Sequence, residues 1–222
     1  LVPWGSLETS QGVYDFTQID KDMAYLRSIG KKLIIEVWWQ KYGCTSGNDT
    51  RYFPAYIYNA GGVGLLSSMN ECHINIHQQQ WADRYIALQA ALAARYDNDP
   101  DVEQIVITET ASTSAVIFKT MVPAVAKLWK KTGVVLYMNW VDDATLAKDI
   151  MAIAAANGVG IGGPDILPPK PLSGVGEDHG SRALRGAGMS SLYSDGTAVQ
   201  NFGTTDYRGK VPVSYSYEAG FE

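Results

Sequence analysis

No apolar run in the chain approaches the ~20 residues needed to cross a bilayer. The opening residues also lack the basic-then-apolar layout of a signal peptide. A membrane span is therefore not expected. Charge of one sign is missing too: 23 acidic residues face 18 basic ones, the formal net charge is −5, and no long run of either sign occurs. That balance gives no electrostatic reason to expect nucleic acid or an anionic membrane as partner. Cysteine is scarce. Cys44 and Cys72 are the two present, and they bracket a stretch rich in Gly, Asn, Ser and Tyr. A disulfide closing that loop and two free thiols are both open readings, and the bridge would accompany a secreted or periplasmic setting. A spaced G-x-G-x-x-G followed by a helix is absent, so the glycines of VGIGG are better read as small residues inside a narrow barrel than as a dinucleotide loop, and no cofactor is expected. Cys72, His73 and His77 form C-H-x-x-x-H, but no carboxylate pair or second cysteine cluster accompanies them, so no metal is expected either.

What is present is a chain of 222 residues with 46% hydrophobic content, enough to bury one substantial core as a single domain, 1–222. Six Trp and thirteen Tyr suit stacking on the apolar faces of sugar rings, or simply the filling of a core.

Helical and strand patterns alternate. Thr17 is placed to cap a helix with Asp20 three residues on, and Ile19, Met23 and Leu26 share a face until Gly30. KKLIIEVWW then reads as a buried strand. Trp81, Tyr85, Leu88 and Leu92 recur at helical spacing before the Asp97–Pro100 break and the strand VEQIVITET. Residues 114–132 read as a helix despite Pro123 and lead into VVLYMNW. Leu146, Ile150 and Ile153 mark another helix, which Asn157-Gly158 ends before VGIGG. Such alternation predicts parallel strands with crossover helices, closed into a barrel or open and doubly wound. From 166 to 210 the periodicity disappears, marking a functional loop or an overlooked short helix. VPVSYSYE alternates strictly, with Ser214, Ser216 and Glu218 on one face and Val213, Tyr215 and Tyr217 on the other.

In a parallel barrel the active site forms at the C-terminal strand ends, which draws attention to Glu109 and Glu218. Glycosidic hydrolysis needs one carboxylic acid to protonate the leaving oxygen and a second carboxylate to attack or to activate water, and two strand-end glutamates supply both. Trp38, Trp39 and Trp140 sit at strand ends, where one or two would stack on sugar and the others pack. Asn139 is a candidate for a sugar hydroxyl. Glu36, inside a strand, is a candidate for sugar or for another inward polar group. Tyr52, Phe53, Tyr56 and Tyr58 form an aromatic loop that either walls the cleft or packs on itself. Asp165 is a lesser candidate, and Glu222 is a rival nucleophile if the last strand runs longer.

Several separate stretches resemble the retaining glycoside hydrolases of the (β/α)8-barrel clan A type, in particular their β-galactosidase-like and cellulase-like members. They are W-G-S-L-E-T-S-Q-G-V-Y-D-F-T-Q-I-D from Trp4 to Asp20, RYDNDPDVEQIVITET, GGPDIL and VPVSYSYE, and together they span most of the chain. The resemblance implies a TIM-type barrel, Glu109 as acid/base, Glu218 as nucleophile, and an oligosaccharide or polysaccharide substrate. The pattern differs in three respects. Thr108 stands where many clan members have Asn, which bears on contact with the sugar 2-hydroxyl. The alignment starts near the end of strand two and stops after strand seven. The length also falls short of the roughly 250 residues of such barrels. An incomplete barrel, truncated at both ends and completed by a second copy or another chain, is the expectation, with a catalytically inactive carbohydrate-binding remnant as the alternative.

Overall fold

Val2–Pro3 forms β1, Trp4–Leu7 a single turn α1, and Glu8–Ser10 and Val13–Tyr14 the hairpin strands β2 and β3; α2 (Thr17–Ser28) leads into β4 (Leu33–Trp38). Then come β5 (Gln40–Tyr42), α3 (Ala55–Asn59), β6 (Val63–Leu66), β7 (Glu71–Ile74), α4 (Gln79–Tyr96) and β8 (Val102–Ile107). A 3-10 turn (Ala115–Ile117) opens α5 (Phe118–Leu128), followed by β9 (Gly133–Tyr137), α6 (Ala144–Ala156), β10 (Gly160–Ile166), the short pair β11 (Asn201–Phe202) and β12 (Thr205–Asp206), and β13 (Val213–Tyr217). This computed structural model describes residues 1–66, 70–108, 110, 114–138, 144–166, 201–202, 205–206 and 213–217.

The long apolar runs expected to be strands build one six-stranded sheet in the order β1-β4-β8-β9-β10-β13. Every pairing in it is parallel. The chain is thus of the mixed α/β class, with α4, α5 and α6 as crossovers. Strand order follows chain order and never reverses, unlike a doubly wound sheet with its switch point.

Register sorts the strand residues into two faces. Ile35 pairs with Ile105 and Ile105 with Val134; Ile107, Leu136, Ile161 and Val213 form the next row. Ile35, Ile105, Ile107, Val134, Leu136 and Ile161 join the main core with Tyr85, Leu88 and Leu92 of α4, Phe118, Met121, Val122 and Val125 of α5, and Ile150, Met151 and Ala154 of α6. The four α4 positions expected to share a face are all buried. The opposite face carries the row Glu36, Val106, Val135 and Gly160, and above it Tyr137, Gly162 and Ser214. Val106, Val135 and Tyr137 form a second, separate buried cluster there. A parallel sheet buried on both faces accounts for strands that read as nearly continuous apolar runs.

Local signals mostly act as expected, with one correction. Gly30 and Gly158, after α2 and α6, have φ of 66° and 68°, the left-handed conformation that ends a helix. Thr17, however, is not a cap: the helix begins one residue earlier in register, with Phe16 at the cap, and it is Asp15 that accepts the Thr17 N–H at 2.9 Å. At the far end of α4, the Asp97 carboxylate accepts the backbone N–H groups of Lys130, Lys131 and Thr132 at 2.9, 3.0 and 2.9 Å, tying α4 to the turn before β9.

The Trp4–Asp20 segment works as a clasp. Trp4 donates to Glu8 at 2.7 Å, and Glu8, fully buried, also takes the Gly12 N–H at 2.8 Å and an ion pair from Arg84 of α4. Arg84 further donates to the hydroxyls of Tyr56 (3.2 Å) and Tyr14 (3.3 Å). Asp20 accepts from Tyr96 and Arg95, each at 2.7 Å. The residues carrying the family resemblance in this segment therefore bind the start of the chain to α4.

Between β4 and α4 the chain makes an excursion not foreseen from periodicity, a three-stranded antiparallel sheet in the order β5-β7-β6. Cys44 and Cys72 are joined by a disulfide across it, with Cα atoms 5.6 Å apart. On the chain-entropy account such a loop contributes about 3–4 kcal/mol. In the aromatic loop Phe53 is in the core, Tyr56 is held by Arg84, and Lys41 and Arg51 lie 5.2 and 5.1 Å from the Tyr52 ring centre, while Tyr58 is exposed.

Candidate functional site

Parallel strands place all their C-terminal ends along one edge of the sheet, and the site assembles there from β4 and β8. The pleat sends Glu36 and Trp38 to the same face of β4 and sends Val37 to the other. Glu36 is 8% exposed. Its Oε1 accepts two hydrogen bonds, from Thr108 Oγ1 at 2.7 Å and from Trp38 Nε1 at 3.1 Å. Burial pushes the Glu36 carboxyl above the usual carboxylate range, and the hydrogen bonds from Thr108 and Trp38 offset part of that rise. Among the described residues, both donors converge on one oxygen, Oε1. A carboxyl held in this way acts as acceptor through Oε1 and, when protonated, as donor through Oε2.

The two adjacent tryptophans part company. Trp38 stays at the strand end, partly exposed, beside Glu36. Trp39 is 1% exposed and packs edge-on against Tyr85 at 4.9 Å between ring centres, and near Phe118 at 6.3 Å. Of the two fates expected for a strand-end tryptophan, Trp39 has taken core packing. The alternating pleat is the reason, since neighbours in a strand cannot face the same way.

Glu109, Glu218, Asn139, Trp140 and Glu222 lie outside the described residues. The strands that precede the first four end at Ile107, Tyr217 and Tyr137. Thr108 and Thr110, on either side of Glu109, are buried. Asp165 falls within β10, one residue before its end.

Thr108 was noted in the sequence only for its departure from the family pattern, and its contact with Glu36 spans 72 positions, so no local signal announced it. Beyond Trp38, Tyr42 on β5 meets the Trp38 ring edge-to-face, with centres 6.3 Å apart. Its hydroxyl accepts from Gln40 Nε2 at 3.4 Å. Gln40 and Tyr42 stand opposite His73 and Glu71 on β7. Gln40 and Glu71 are fully buried, and His73 Nδ1 lies 3.8 Å from Glu71 Oε1. Burial, followed by the charge of His77, holds the His73 imidazole below the usual histidine range. Gly64 leaves room here, since a Cβ on it would come within 2.7 Å of Asn75 Oδ1 and 3.0 Å of His73 Nε2. Cys72 is consumed by the disulfide, so C-H-x-x-x-H has no thiolate to offer a metal. Among the described residues no group of three or more His, Cys, Asp or Glu is placed to hold a metal ion, and no helix is long and apolar enough to cross a membrane.

Compared with known proteins, the chain matches no family model and no curated protein.

Proposed function

We propose that the chain is a retaining β-glycoside hydrolase on a (β/α)8-type barrel, with Glu109 as acid/base, Glu218 as nucleophile and a β-linked oligosaccharide or polysaccharide as substrate. One observation carries this reading. The strands that precede the two glutamates in the sequence, β8 and β13, belong to one sheet in which every pairing is parallel, and the end of β8 lies beside the polar, aromatic cluster of Glu36, Thr108 and Trp38.

The barrel is the geometry this chemistry requires. β13 is the third strand from β8 in the sheet order, which on a flat sheet means a gap of about 14 Å. Double displacement needs carboxyls about 5 Å apart. Closing the sheet brings such strand ends toward each other across the mouth. Strand order without reversal supports closure, and so does the second cluster of Val106, Val135 and Tyr137, which is buried on the face away from the helices. The disulfide supports a secreted or periplasmic setting.

In this reading Glu109 donates its proton to the departing glycosidic oxygen while Glu218 attacks the anomeric carbon. Glu109 then takes a proton from the water that releases the sugar. Glu36 and Trp38 hold the substrate. Substituting Glu218→Ala is expected to abolish turnover of an aryl β-glycoside with an unchanged circular dichroism spectrum, and the wild type is expected to release the β-anomer first by NMR. Turnover of Glu218→Ala at the wild-type rate would remove the assignment. A non-catalytic sugar-binding role is the second reading, favoured by Thr108, whose hydroxyl is committed to Glu36. Calorimetry showing sugar binding without any turnover would select it.

A further inference from the structure

Asn48-Asp49-Thr50 is an N-x-S/T triplet, and no other asparagine in the chain is followed two residues on by Ser or Thr. Such a triplet is the acceptor signal for N-linked glycosylation when the asparagine lies on a surface loop of a chain that enters a secretory compartment. Triplets of this kind also arise by chance, so the local geometry and the setting decide.

The triplet lies on the excursion between β5 and α3, in a turn anchored by its middle residue. The Asp49 carboxylate pairs with Lys41 at 2.7 Å and accepts the Arg51 N–H at 3.1 Å, while the Asp49 carbonyl accepts the N–H groups of Tyr52 and Phe53 at 3.0 and 2.9 Å. Gly47, just before the triplet, is pressed inward, since a Cβ on it would collide with Val63. The two residues that flank Asp49 go the other way: Asn48 and Thr50 are both exposed. Ser46 Oγ donates to Asn48 Oδ1 at 2.7 Å, a bond that engages the amide oxygen and not Nδ2, the atom that carries an N-linked sugar.

The setting agrees with the geometry. The Cys44–Cys72 bridge encloses the triplet, and disulfides form in the oxidising compartments through which secreted chains pass. Cys72 comes 28 positions after Cys44. During synthesis from the N-terminus, Asn48 is therefore presented before the β5-β7-β6 sheet that closes around it exists.

We infer that Asn48 is a glycosylation site that takes one oligosaccharide from a lipid-linked pyrophosphoryl oligosaccharide. Asn48 Nδ2 attacks the anomeric carbon of the donor. A C–N bond forms, the anomeric C–O bond to the pyrophosphate breaks, the lipid pyrophosphate leaves with the bonding pair, and one amide proton passes to a base of the transferase. Thr50 completes the signal that the transferase reads. This assignment is independent of the glycoside-hydrolase reading and survives its failure.

The test translates the whole chain, behind a cleavable secretory leader, into microsomes that glycosylate a control protein in the same reaction. A single slower band is expected, returned to the unglycosylated position by endoglycosidase H. Peptide N-glycosidase F, which converts a glycosylated Asn to Asp, is expected to leave that Asp in the tryptic peptide Tyr42–Arg51 after reduction. Asn48→Gln and Thr50→Ala are expected to lose the shift, and Thr50→Ser to keep it. Both side chains are exposed, so the unglycosylated protein and its Asn48→Gln variant are expected to melt at the same temperature. An unshifted wild-type band beside a shifted control, or a shift that persists in Asn48→Gln, overturns the assignment. The microsome readout holds whether or not a variant folds.

Discussion

The two faces of the parallel sheet use the same strands to opposite ends. On the helix side, the apolar Ile35, Ile105, Ile107, Val134 and Leu136 merge with three helices into one core. On the other side, the intervening positions carry Glu36 and Thr108 beside the smaller cluster of Val106, Val135 and Tyr137. Stability is concentrated on one set of alternate residues and polar chemistry on the other, so a single change on either face should read out in a different experiment.

The largest effect is expected on the helix side. Ile105 is fully buried in the main core, and Ile105→Ala should cost about 4 kcal/mol, seen as a lowered denaturant midpoint. Sugar binding by the molecules that remain folded should be unchanged. If binding is lost in proportion to the core defect, the division between faces is wrong.

Next is Asp97, at the periphery of the helix layer. Asp97→Ala removes one acceptor from three backbone N–H groups and should lower stability by about 1–2 kcal/mol. Burial acts to raise its carboxyl, but the N–H bonds prevail and hold it below the usual range. The stabilisation it gives is therefore complete above the ordinary carboxylate pKa and is lost as pH falls through its folded-state value. Thermal melts from pH 6 downward should show a steeper acid limb in the wild type than in the variant.

The smallest effect on stability, and the sharpest contrast, belongs to Glu36. Its carboxyl is raised, first by burial. The folded protein therefore holds a proton that the unfolded chain releases, so stability falls as pH rises from the ordinary carboxylate value through the folded-state one. Glu36→Gln retains an oxygen for Thr108 and Trp38 and should melt at or slightly above the wild-type temperature at pH 8, with the pH-dependent fall abolished. Glu36→Ala should fold but bind saccharide more weakly than Glu36→Gln. Equal binding by the two would remove Glu36 from the site.

Much of the scaffold was legible from residue type and spacing. The four α4 anchors, the helix-ending Gly30 and Gly158, and the strands around Ile105 and Val135 follow from periods of 3.6 and 2 and from turn chemistry. The excursion was not, because its strands are three or four residues long and their pairing is set by contacts such as Cys44 with Cys72. The site was legible in part. Strand parity already separates Trp39 from Glu36 and Trp38, but which parity faces the helices depends on packing against α4 and α5, which lie far along the chain. The Thr108–Glu36 bond is of the same kind, a pairing of two strands that only the assembled sheet brings side by side.

The disulfide also changes how the chain would respond to a protease. Arg51 is exposed and lies inside the loop that Cys44 and Cys72 close. A single tryptic cut after it would leave two fragments still covalently joined. On a non-reducing gel the nicked protein should run as one species, and the two pieces should separate only after a thiol is added.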